Sequence, residues 1–242
     1  MNNLVFEIDD ISQLALKVMN AILARDEEAA RIMQDDSGPR ALASALSELF
    51  QVAAAVEADQ CHLDSDELTE FGAYGLDILD RLDFMVRKLE IMDHMDDMSR
   101  VFPSLAVWLA RRHAVIKNLK GTADGFGKLV NGLSEPNDLA EMCQIMEEVI
   151  EASAEELQID DDRSNEWRPW RVINLNSGIA ATRSLDPALM ERTFEKLGRR
   201  LPYDMPGFFA DGKRQMVVQN VPEAVSTVMN RYAEKWSGRP PH

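Results

Sequence analysis

The chain has 242 residues, 45% of them hydrophobic and 28% charged, the balance of a folded protein whose core needs no staples. Its net charge of −16 speaks against general nucleic-acid binding, which relies on lysine and arginine to neutralise phosphate. The two cysteines, Cys61 and Cys143, carry no disulfide framework and read as thiols of a reduced compartment.

The opening MNNLVFEIDD turns acidic early and has no basic leader region, so it is not read as a signal peptide. The longest apolar run, LAVWLA, is far short of the roughly 18–20 residues of a membrane span. The expectation is a cytoplasmic protein without a membrane partner.

Asp10 and Gln13 have the spacing of a capping box and predict a helix start. Leu42, Ala45, Leu46, Leu49, Phe50, Ala53 and Val56 then follow a helical period. Asp64 and Glu67 repeat the capping-box spacing. Behind them one apolar face runs from Leu68 through Phe71, Gly75, Ile78, Leu79, Leu82, Met85 and Leu89 to Met92, about seven turns. DHMDDM, Asp93 to Met98, places His94 among carboxylates without a second histidine at metal-ligand spacing, and reads as a solvated acidic turn. Met85, Met92, Met95 and Met98 read as core filler rather than as a promiscuous surface.

An acid-free island follows, from Met98 to Ala123. On a helix its Trp108, Arg111 and Arg112 lie within reach of one another. The plain reading is a basic helix beside an acidic one; the functional reading is a binding face. GTADGFGKLV, starting at Gly121, lacks the order of a phosphate loop and reads as a corner between helices. Residues 136–158 read as one long helix, and QIDDDRSNEW as the longer loop after it.

The second island, NEWRPWRVINLNSGIAATRS, begins at Asn165 and carries Trp167, Trp170, Arg168, Arg171 and Arg183. It sits where the charge changes sign: residues 1–166 hold 14 basic and 35 acidic side chains, residues 167–242 hold 12 and 7. With Pro169 as first helical residue, Trp167 is placed to pack on Val172 as a hydrophobic staple. The helix is apolar nearly all round, which predicts a buried, central element. Arg171, Asn174, Gly178 and Thr182 form its narrow polar stripe. Arg171 either pairs with the acidic remainder, with Asp160, Asp161 and Asp162 nearest in sequence, or lines a groove with Asn174 and holds an anion by its planar fork of donors.

Seven prolines stand where helices should begin: Pro39, Pro103, Pro136, Pro169, Pro187, Pro206 and Pro222. Asn220 and Glu223 add a third capping-box spacing. Pro103, Pro136, Pro169 and Pro206 are spaced at a period at which helix pairs repeat in helical arrays. Met190, Thr193, Phe194, Leu197 and Leu201 fall opposite Val225, Val228, Met229, Tyr232 and Trp236 when the last two helix pairs are overlaid. The layout resembles tetratricopeptide-type repeats, without their tryptophan–leucine–glycine–tyrosine signature.

These readings predict an all-α fold of about nine to eleven helices, antiparallel pairs stacked as an irregular helical repeat. An acidic part, 1–133, and a repeat-like part, 134–242, are expected to pack continuously as one domain. Leu46, Phe50, Leu79, Leu82, Val149, Phe194 and Leu197 are expected in the core. The expected function is a scaffold that binds a protein or peptide partner in a groove, since such arrays present concave surfaces. A small-molecule-binding or catalytic protein with a pocket near Arg171 is the alternative, and a self-associating homo-oligomeric subunit the third reading. No catalytic, cofactor or metal motif is present in the sequence. The candidate binding residues are Arg171, Asn174, Trp170, Gly178, Arg111, Arg112 and Trp108.

Overall fold

The computed structural model describes residues 6–29, 38–159, 165–219 and 221–237. They form eleven α-helices: α1 (Ile8–Ala29), α2 (Pro39–Glu57), α3 (Ser65–Lys88), α4 (Met95–Ala110), α5 (Lys120–Gly132), α6 (Pro136–Glu151), α7 (Glu155–Ile159), α8 (Pro169–Arg183), α9 (Pro187–Arg200), α10 (Met205–Gln219) and α11 (Glu223–Trp236). A 3-10 turn, Met92–His94, precedes α4. The all-α class is as expected. Among the described residues the nearest thing to a strand is one parallel bridge between Ile116 and Ser153, and no helix is long and apolar enough to cross a membrane.

Most starts follow the local signals. Pro39, Pro136, Pro169 and Pro187 each take the first helical position, where a missing N–H costs nothing. Pro206 is the second residue of α10, and Pro222 caps α11. Asp64 accepts from the backbone N–H groups of Asp66 and Glu67 while Glu67 reaches back to the N–H of Asp64, a complete capping box. Asn220 and Asp160–Asp162 lie outside the described residues.

Six expectations are corrected. α1 starts at Ile8, not at Asp10, because the carboxylate of Glu57 receives the Ile8 N–H from across the bundle. The α3 stripe stops at Lys88; Glu90 takes a left-handed φ of 57°, and Met92 is exposed. Pro103 lies inside α4. Its missing N–H leaves the Ser99 carbonyl without its helical donor, and Gly125 of α5 settles there, where a Cβ would come within 2.6 Å of that oxygen. That contact also corrects GTADGFGKLV, which is helix and not corner: Gly121 and Gly125 let α5 approach Phe102 and Pro103 of α4. The helix expected over 136–158 breaks at Ala152, because the Ile116 N–H donates to Ala152 O and the Ala154 N–H to Ile116 O. Trp167 makes no staple and is 82% exposed. The Asn165 side chain takes its N–H in a tight turn that aims the ring outward, while Val172 packs on the core without it.

All seven expected core residues are buried. Helices α1, α2, α3 and α4 pack around one another; α4 then closes a second group with α5, α6 and α8. From α8 the chain continues outward through α9, and α11 packs on both α9 and α10. The packing of α5 on α8 crosses residue 133, and Arg183 of α8 donates to the carbonyls of Val130 and Leu133 at the end of α5.

A part-buried ionic knot ties α6 to α9. Glu147, 17% exposed at its side chain, accepts from Lys196 at 2.7 Å and from Arg200 at 2.5 and 3.0 Å. Burial alone would raise the Glu147 carboxyl, but the hydrogen bonds from Arg200 and Lys196 outweigh it and hold the group below its ordinary 4.5. A depressed folded-state value contributes stability above the unfolded value, lost as pH falls through the folded one. Urea unfolding at pH 7 and at about pH 3 should therefore show Glu147→Gln clearly weaker than wild type at pH 7 and the gap narrowed in acid. A gap that is the same at both pH values would remove the charge from this account. Asp97 behaves alike: burial raises it, while Lys17 at 2.8 Å and His94 at 2.9 Å draw it below the usual range. DHMDDM is thus partly an internal ion cluster, and not wholly a solvated turn.

Candidate functional site

Helix α8 is central, as its apolar circumference predicts: α5, α6 and α9 all pack on it. Its buried face includes Trp170, Ile173, Asn174, Ser177, Gly178, Ala180 and Ala181. Polar residues of this helix, on the buried face and beside it, bond backward along it. The Asn174 amide donates to Trp170 O at 2.9 Å, Asn176 to Val172 O at 2.9 Å, and the Thr182 hydroxyl to Gly178 O at 2.8 Å. Asn174 is fully buried, with its oxygen 3.5 Å from Arg200. Gly178 is in contact with α9 and α10, where a Cβ would come within 2.6 Å of Leu197 and 2.8 Å of Phe208. The Trp170 ring is buried, and its Nε1 has no hydrogen-bond partner among the described residues.

The next face of α8 stays open. Arg171, Leu175, Ile179 and Arg183, with Thr182 beside them, line a cavity of about 630 Å³. The opposite wall is the matching stripe Asp204, Phe208, Gly212 and Met216, and Met229 of α11 adds a third side. Both stripes advance four residues per step over three turns, so the groove is about 18 Å long at 1.5 Å per residue. Phe208 is backed by Phe194, whose ring it meets edge-on at 5.9 Å.

An ion pair closes one end. Arg171 Nε donates to Asp204 at 2.5 Å, Arg168 donates to the other oxygen at 3.3 Å, and Arg171 also reaches Glu166 O at 2.9 Å. The internal partner of Arg171 is therefore Asp204, and the candidate residues Arg171 and Asn174 part company: Arg171 lines the groove, whereas Asn174 faces the core. At the far end lies Arg183, held by two backbone carbonyls and by no carboxylate among the described residues. Leu175, Ile179, Arg183 and the α10 stripe were missed in the sequence. The four-residue spacing 171, 175, 179, 183 is a signal that could have found them.

The other candidate residues lie elsewhere and are used internally. Arg112 sits 4.1 Å over the Trp108 ring and donates to Glu57 at 3.2 Å, while Trp108 Nε1 donates to the same oxygen at 3.0 Å. Arg111 grips Glu148 with two hydrogen bonds and covers Phe6. This island is a basic helix end packed beside acidic neighbours.

A second cavity, of about 440 Å³, lies among α3, α4 and α5. Its rim carries Asp80, Asp83 and Asp124 against Arg87, Lys120 and Lys128, with Arg87 donating to Asp83 and Asn118 to Asp80. Within the rim only Arg87 and Asp83 form an ion pair among the described residues, and Lys128 turns to Asp96 outside it. No protein-family model matches the chain, and no curated protein or solved structure matches it either.

Proposed function

We propose that the chain is a helical scaffold that binds a helical segment of a protein partner in the groove between α8 and α10. The observation that carries this reading is the pair of parallel-spaced stripes: Leu175 and Ile179 on one wall, Phe208 and Met216 on the other, three turns long and open to solvent on one side. Two helices held apart by apolar walls leave the space that an amphipathic helix fills with its own anchors at four-residue steps. The chain's charge change at residue 167 places this groove in its basic part.

Ile179→Glu tests the proposal. Ile179 is 38% exposed, so a charge there costs the fold little, within about 0.5 kcal/mol for a surface change. It plants a carboxylate on the α8 wall of the groove. Affinity capture from the native cell, read by mass spectrometry, should return a partner with wild type and lose at least about tenfold of it with Ile179→Glu, a loss of 1.4 kcal/mol or more. Equal recovery with both chains, or none with wild type, overturns the proposal.

A further inference from the structure

The groove is not electrically uniform, and this says what kind of helix fits it. Its Arg171 end is neutralised by Asp204. Asp211 on the α10 wall is engaged by Arg214. Arg183 differs. Its Nη1 and Nη2 each donate to one carbonyl at the end of α5, and no carboxylate meets it among the described residues. Those two bonds fix the guanidinium plane and leave three of its five N–H donors uncommitted. An arginine held in place with donors to spare, on the wall of an apolar groove, is a preorganised site for a carboxylate.

We infer that the segment bound by the groove is an acidic amphipathic helix, one of whose Asp or Glu side chains docks on Arg183. This rests on the groove reading above and adds the partner's charge and the residue that reads it. The large negative charge of residues 1–166 does not oppose it: repulsion between exposed charges fades beyond about 8 Å at physiological salt, so the contact at Arg183 decides.

The test selects a phage library of random peptides of about 14 residues, long enough to span the groove as a helix, against the full chain and counter-selects on Ile179→Glu. Enriched peptides should carry apolar anchors at four-residue steps and an acid at a fixed distance from them. The best peptide is then synthesised with that acid as Glu and as Gln. Both are titrated by fluorescence anisotropy against wild type and Arg183→Gln. Glu should outbind Gln about tenfold on wild type and less than about twofold on Arg183→Gln, the signature of a direct pair in a double-mutant cycle. A merely structural Arg183 would weaken both peptides equally. Arg183→Lys, which keeps the charge and one donor to α5, should hold part of the preference and covers the case in which Arg183→Gln fails to fold. Enriched peptides without a recurrent acid, or a Glu preference that survives in Arg183→Gln and Arg183→Lys alike, overturn the inference and leave the groove reading standing. No enrichment over Ile179→Glu overturns the groove reading itself.

Discussion

Truncating Phe194 to alanine is expected to lower the free energy of unfolding by about 3–5 kcal/mol, the range for deleting a buried aromatic ring. Phe194 is fully buried and lies where α9, α10 and α11 meet. Its ring contacts Phe208 at 5.9 Å, Phe209 at 5.0 Å and Tyr232 at 5.2 Å, each near edge-to-face, the arrangement aromatic quadrupoles prefer. The neighbours on α10 and α11 are rigid rings, which cannot collapse into the space without moving both helices. The effect should therefore reach the groove, because Phe208 lines it and leans on Phe194. Urea unfolding measures the first consequence; binding of the selected peptide at a denaturant concentration where the variant is folded measures the second. A loss near 0.5 kcal/mol would mean the ring is not in a packed core.

The fold was far more legible than the site, for a physical reason. Helix starts are written within four residues, as at Asp64 and Glu67 or Pro169, and a core stripe such as Leu79 and Leu82 is written within two turns. What failed was non-local. Nothing near Asp10 says that Glu57 will receive the Ile8 N–H, and nothing near Pro103 says that Gly125 will occupy the gap it leaves. The same limit misassigned the faces of α8. Its polar stripe, Arg171, Asn174, Gly178 and Thr182, reads in the sequence either as an internal ion-pairing seam or as the lining of a groove, with all four on one side. Asn174 instead satisfies its amide on the helix's own Trp170 carbonyl and goes inside. Gly178 goes inside because the absence of a side chain lets Leu197 and Phe208 come close. The apolar stripe through Leu175 and Ile179 is left facing the groove, since α10 stands away from α8 there. Which face a buried helix leaves open depends on where its neighbours stop, and that is not a local pattern.

Asp204→Asn is expected to be the most costly change among the groove's polar residues, about 3 kcal/mol, because it breaks a mostly buried ion pair by removing the acid. Asp204 is 14% exposed at its side chain and is shared by Arg168, 11% exposed, and Arg171, 25% exposed. Asparagine keeps one acceptor oxygen but turns the other position into a donor facing a guanidinium. Arg168 and Arg171 then lose the carboxylate they share. Arg171→Met is milder, about 1 kcal/mol, since Asp204 keeps Arg168 and the methionine stem keeps most of the packing. The order of the two, read as urea midpoints at constant slope, checks the assignment. Binding separates the two ends of the groove. Arg171 is already engaged by Asp204, so Arg171→Met should hold the selected acidic peptide within about threefold of wild type, less than 1 kcal/mol. If Arg171→Met instead abolished binding at unchanged stability, the anion would be read at the Asp204 end, and Arg183 would be reduced to capping α5.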